Sequence, residues 1–115
     1  MQFLHYGVPV SAKKPNMNFI EALGVSVTDP AADPHTIEWL YFEPNSPMHK
    51  DIQTKNHVAY QVDDLDAALE GYNVICQPFS PGPGTRLAFI ENNGGVIELL
   101  ESKPVSSCGC GCGCK

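Results

Sequence analysis

Apolar and polar residues alternate over Phe3–Val10 (FLHYGVPV), which predicts a strand with Tyr6, Val8 and Val10 on one face. Asn16–Leu23 (NMNFIEAL) spaces its apolar residues as a helix does, and Gly24 follows as a natural stop. Val25–Thr28 is a short β-prone run. DPAADP at 29–34 is a turn or loop, because each proline restricts the residue before it. His35–Glu43 (HTIEWLYFE) carries the strongest strand pattern, rich in aromatic and β-branched residues. Pro44–Asn56 is polar, broken by Pro44 and Pro47, and reads as a crossing between two halves. His57–Val62 (HVAYQV) is then a strand. Asp63 or Asp64 caps a short helix with Leu65, Ala68 and Leu69 as its apolar stripe, and Gly71 ends it. Tyr72–Phe79, Thr85–Glu91 and Val96–Glu101 are strands, separated by an SPGPG loop at 80–84 and a hairpin turn at Asn92–Gly95.

The two halves are alike. Each opens with a strand bearing a histidine near its start (His5, His57), continues into a short helix closed by glycine (Gly24, Gly71), and ends in a strand containing Ile-Glu. The His-to-Glu interval is 33 residues in the first half and 41 in the second, which suggests that the first lacks one strand. The pattern predicts an α+β domain over residues 1–101. Its modules span about 3–43 and 57–101, and 102–115 form a flexible tail of Ser, Gly, Cys and Lys.

Composition narrows the possible functions. A chain of 115 residues supports one compact domain. Residues 1–101 carry five cations against thirteen anions, which disfavours a nucleic-acid partner. No apolar run approaches the roughly 18 residues of a membrane span, and the N-terminus lacks the pattern of a secretory signal. Cys76 stands alone in the body and reads as a core thiol, whereas Cys108, Cys110, Cys112 and Cys114 crowd the tail. A disulfide-stapled domain would spread its cysteines through the fold, so a reduced, cytoplasmic protein is expected.

Strand parity brings candidate chemistry together. His57, Ala59 and Gln61 share one face, opposite Val58, Tyr60 and Val62; His5 and Gly7 lie opposite Tyr6 and Val8. The greasy face should pack under the helices and the histidine face should line a cavity. Glu98 shares its face with Val96 and Leu100, and Glu38 with Leu40 and Phe42. A carboxylate among apolar strand residues is unusual without a partner. Glu43 and Glu101 have the same local look, and spacing does not choose between Glu38 and Glu43; their odd separation only sends them to opposite faces. Two imidazoles with two carboxylates would suit Zn²⁺, Ni²⁺, Co²⁺, Mn²⁺ or Fe²⁺ and leave positions for substrate. A histidine that opens a strand is ordinarily a surface or hydrogen-bonded residue, so the pattern leaves that reading open.

HVAYQVDDLDAALEG, followed by LAFIENNGGVIELLE, closely resembles the second module of the vicinal oxygen chelate superfamily, which includes glyoxalase I, methylmalonyl-CoA epimerase, extradiol dioxygenases and bleomycin-binding proteins. FLHYGVPV with IEWLYFEPNSP is similar to its first module. The resemblance covers about residues 3–101. It implies two βαβββ modules, the first shortened, whose mixed sheet curves into a cup. It also implies a divalent metal held by His5, Glu38, His57 and Glu98, with Glu98 or Glu38 moving a proton beside a carbonyl. A complete His/Glu/His/Glu set is more like the glyoxalase and epimerase pattern than like the dioxygenases, which use two His and one Glu.

The expected function is therefore a metal-dependent lyase or isomerase acting on a small molecule, with a possible homodimer. The alternatives are a non-catalytic small-molecule binding or resistance protein on the same cup, or a soft-metal role for the tail. Arg86 is a candidate to neutralise an anionic group of the substrate. The run SSCGCGCGCK offers four thiols at spacing two, and thiolates suit Cu(I) or Zn²⁺.

Overall fold

A computed structural model describes residues 1–103. Among these residues eight strands form one mixed sheet: β1 (Gln2–Pro9), β2 (Asn18–Ile20), β3 (Val25–Val27), β4 (Ile37–Phe42), β5 (His57–Gln61), β6 (Asn73–Gly82), β7 (Thr85–Asn92) and β8 (Gly95–Ser102). Their spatial order is β2-β3-β4-β1-β5-β8-β7-β6. The order reads the same outward from the centre in both directions. β1 pairs with β4, and β5 with β8, in parallel; the two modules join where β1 meets β5 antiparallel. This is an α+β cup of paired modules, and its eight strands curl around one concave face.

Module one therefore keeps all four strands. The expected missing strand is a missing helix. In module two, α2 (Leu65–Leu69) links β5 to β6. In module one, residues 10–17 run directly from β1 to β2 without a helix. The helix expected over Asn16–Leu23 is instead strand β2 followed by a single 3-10 turn, Glu21–Leu23. Asn16 sits at φ 64, which breaks any helix there, and Asn18–Ile20 pair with Val25–Val27. A strand three residues long and one turn of helix can present the same apolar spacing, and pairing with β3 decides between them. Gly24 closes the turn in the left-handed region at φ 61, its N–H donating to the Glu21 carbonyl.

The outer faces of the modules are covered differently. α2 packs over module two, where Val62, Leu65, Ala88, Ile90 and Leu99 form a buried cluster. The Asp64 carboxylate caps the helix by accepting from the Ala67 N–H at 3.3 Å, and Glu101 Oε2 accepts from the Leu65 N–H at 2.9 Å. Module one has no helix on that face. The ammonium of Lys14 lies 4.9 Å from the Trp39 ring centre and that of Lys13 lies 5.8 Å from the Tyr41 ring centre. Their alkyl stems are suited to cover apolar surface while the charges stay in water.

Two further segments differ from expectation. The crossing at 44–56 contains a short helix, α1 (Lys50–Thr54), capped by His49 Nδ1, which accepts from the Asp51 N–H at 3.0 Å. Its KDIQT sequence shows no amphipathic stripe, because a single residue, Ile52, makes its core contact. Ile52 is 1% exposed and clusters with Leu87, Phe89 and Val96. The SPGPG segment is not wholly a loop: β6 continues through Gly82, and the turn is Pro83-Gly84. Pro78 and Pro81 fit there because β6 is an edge strand with register shifts, where missing N–H donors are tolerated. No helix among the described residues is long and apolar enough to cross a membrane.

Ile52 makes α1 a plug for the cup rather than a simple connector. Ile52→Ala is expected to destabilise the fold by about 2–5 kcal/mol, the usual cost of such a cavity. Urea unfolding would check this; a loss below about 1 kcal/mol would show that α1 is not part of the core.

Candidate metal centre

Four strands around the module junction supply four side chains to one point. In the sheet register, Gly7 of β1 lies between Glu38 of β4 and His57 of β5. Ala59 of β5 lies between His5 of β1 and Glu98 of β8. The two rows, Glu38–Gly7–His57 and His5–Ala59–Glu98, cross the centre of the concave face. A small residue at the middle of each row leaves room above it for the flanking side chains.

Those side chains converge. His57 Nε2 is 3.1 Å from Glu98 Oε1 and 4.0 Å from Glu38 Oε1. His5 Nε2 is 3.3 Å from Glu38 Oε1 and 3.4 Å from Glu98 Oε1. One ligand atom from each residue lies within 4.8 Å of the others. Metal–ligand bonds of about 2.1 Å place neighbouring donors roughly 3.0 Å apart in octahedral and 3.4 Å apart in tetrahedral coordination. The spacing fits such an ion. The contacts are also poorly aimed for hydrogen bonds: His5 Nε2 and both nitrogens of His57 are buried without a hydrogen-bond partner among the described residues. The Nε2 atoms of His5 and His57, which face carboxylate oxygens without bonding to them, suit a common central acceptor of their lone pairs. The residues present therefore fit a divalent ion.

The electrostatics without metal are those of a compensated cluster. Burial opposes the charged form of His5, but the carboxylates of Glu38 and Glu98 outweigh it and raise its pKa to about 10. Burial likewise opposes ionisation of Glu98, and contacts with His5 and His57 overcome it, bringing its pKa to about 2. Each group is charged because the other is.

Packing holds the His57 ring. Its side chain is fully buried, with the edge of Phe89 at 5.4 Å and His5 at 5.6 Å between ring centres. A Cβ on Gly7 would lie 2.1 Å from His57 Cε1 and 2.4 Å from Nε2. Gly7 is thus the floor on which the ring rests. It was missed in the sequence, although both histidine strands carry the same signal, His-X-Gly in one and His-X-Ala in the other.

Parity also places the remaining candidates. Glu43 turns away from the cup and pairs with Lys13 at 3.6 Å. Glu101, three residues from Glu98, faces the α2 side. Arg86 is on that side too: its Nε donates to Glu101 Oε1 at 3.2 Å and its Nη2 to Asp66 Oδ2 at 3.1 Å. The structure brings His5, Glu38, His57 and Glu98 together and leaves Arg86 outside the cup, as a brace between β7, β8 and α2. Cys108, Cys110, Cys112 and Cys114 lie outside the described residues.

The concave face encloses a cavity of about 230 Å³, bordered by His5, Glu38 and Glu98 and by apolar side chains from both modules and α1. A curled mixed sheet of paired modules, joined β1 to β5, is the vicinal oxygen chelate, or glyoxalase-like, fold. Solved structures that match it over nearly the whole chain include two with the same TM-score. A hypothetical protein from Bacillus halodurans has a TM-score of 0.61 and 20% identity, with 92% of this chain and 97% of that one covered. Methylmalonyl-CoA epimerase from Mycobacterium tuberculosis has a TM-score of 0.61 and 18% identity, covering 90% and 89%. No protein-family model and no curated protein matches the sequence.

Two outcomes are expected. Gly7→Ala should cost about 1–3 kcal/mol of stability through overpacking and shift the His57 ring resonances in NMR spectra. An unchanged His57 environment would show that the ring does not rest on Gly7. Metal-free protein should be most stable between about pH 4.5 and 6.5. The stabilisation from Glu98 is complete above its ordinary pKa of 4.5 and is lost as pH falls toward about 2. That from His5 is complete below its ordinary 6.5 and is lost as pH rises toward about 10. Denaturant midpoints across this range would test both limbs; a flat profile would remove the cluster from the stability of the fold.

Proposed function

We propose that this chain is a metal-dependent lyase or isomerase that moves a proton beside a carbonyl or thioester of a small substrate. The observation that carries the reading is the cluster of His5, Glu38, His57 and Glu98 at the base of an otherwise apolar cavity. These four residues would hold one divalent ion, of the Zn²⁺, Ni²⁺, Co²⁺, Mn²⁺ or Fe²⁺ type. The ion would supply Lewis acidity, polarising a carbonyl oxygen of the substrate. Glu38 and Glu98 both border the cavity, so either can accept a proton from a carbon held there. The apolar walls lower the local polarity and so strengthen the attraction between developing charge and the groups of the site. The chain shares its fold with a methylmalonyl-CoA epimerase, which is consistent with this reading. All four proposed ligands come from one chain.

The same cavity would serve a non-catalytic binding protein, and solvent exchange separates the two. Protein stripped with a chelator and reloaded should take up one ion per chain. His57→Ala should weaken that uptake at least about tenfold, since losing a ligand should cost no less than losing its supporting contacts. Loaded protein in deuterated water should place deuterium next to the carbonyl of a turned-over hemithioacetal or 2-substituted acyl thioester. Metal uptake without turnover or exchange would leave the binding reading in its place. Truncation after Lys103 should preserve the uptake by the four ligands; any thiol-dependent binding lost with the tail would belong to Cys108–Cys114.

A further inference from the structure

The walls of the cup limit what can enter it. Apart from His5, Glu38 and Glu98, every residue bordering the cavity is apolar. Val25, Leu40 and Phe42 come from module one, Leu87 and Leu100 from module two, and Met48 from the crossing. No Lys, Arg, Asn, Gln, Ser or Thr borders it among the described residues. The nearest candidate cation by sequence, Arg86, is held by Glu101 and Asp66 on the opposite face of the sheet. Lys13 and Lys14 lie over aromatic rings of module one, and Lys55 is paired with Asp51 and Glu91.

Charge arithmetic then restricts the ligand. Two carboxylates offset the charge of a divalent ion, so the loaded site carries no surplus positive charge. A carboxylate or phosphate on the far end of a ligand would enter an apolar wall with no counter-charge and no hydrogen-bond donor, which is strongly unfavourable. An aliphatic group would be favoured there by about 25 cal/mol per Å² of apolar surface removed from water. Size is the second limit. At about 230 Å³ the cavity is smaller than the roughly 300–1,000 Å³ typical of sites for drug-sized ligands.

We infer that the part of the ligand lying inside the cup is small, uncharged and apolar: a short aliphatic group joined to the oxygens that face His5, Glu38, His57 and Glu98. This rests on the proposed metal site for its oxygen-binding end, but the apolar end follows from the walls alone.

A matched pair of probes tests it on the full chain, both zinc-loaded and metal-free. Butyrohydroxamic acid ends in an uncharged propyl chain; succinic monohydroxamic acid has a tail of similar length that ends in a carboxylate. Affinities are read from methyl NMR shifts of Met48 and the leucines of the cup. The uncharged probe is expected to bind at least about tenfold more tightly and to move the Met48 methyl. Equal affinity, tighter binding of the carboxylate probe, or no binding of either by zinc-loaded protein would overturn the inference. Failure to take up zinc would count against the proposed function instead. The metal-free protein would then decide the inference, which stands if the uncharged probe is preferred and falls if it is not.

Discussion

Two carboxylates, Glu38 and Glu98, sit at the base of an apolar cup, and the centre of the protein is organised around making that tolerable. Buried like charges repel strongly in a medium that screens poorly. Here two imidazoles are interleaved with them at 3.1–4.0 Å. The arrangement depends on β1 and β5 being neighbours. Only that junction puts a histidine and a glutamate from each module on crossing rows, and only small residues at Gly7 and Ala59 let the four side chains lean over the middle. Without metal, the protonated His5 supplies the compensating charge. A divalent ion would do the same while displacing that proton, so binding and protonation draw on one set of groups.

The rest of the fold divides its labour around this centre. Module two has a capped helix over its outer face and a long β6-β7-β8 meander. Glu101 ties the start of α2 to β8, and Arg86 extends the tie to Asp66. Module one is pared down, its helix replaced by an irregular segment whose lysines cover Trp39 and Tyr41. Cup-side and outer-side residues alternate along each strand, so charges used for bracing stay apart from charges used in the site. Glu98 and Glu101 show the principle within a single strand: three residues apart, they serve opposite faces.

The chemistry follows from the same separation. Polar groups are confined to one end of the cavity and apolar walls take the remainder. This layout suits a ligand with oxygens at one end and hydrocarbon at the other. It suits either a proton-transfer enzyme or a carrier, since the scaffold alone does not fix which.

The two-module organisation and most strands were legible in the sequence, because alternation of period two assigns faces. Alternation put His5 and His57 on the polar face of their strands but did not choose between Glu38 and Glu43; the full quartet came from the family resemblance. The helix α2 was legible from its cap and stripe. What escaped were features whose sequence signal is shared or absent. NMNFIEAL fits a helix by spacing, and only pairing with β3 makes it a strand and a turn. The helix α1 shows no stripe, because one isoleucine makes its core contact. The crowded environment that makes Gly7 necessary arises only when β5 lies beside β1. Arg86 reads as a candidate for an anionic substrate group because its partners, Asp66 and Glu101, are 20 residues before it and 15 after it in the chain. Local patterning determined which face each residue occupies; the tertiary structure decided which faces meet, because contacts between distant segments exist only once the sheet has closed.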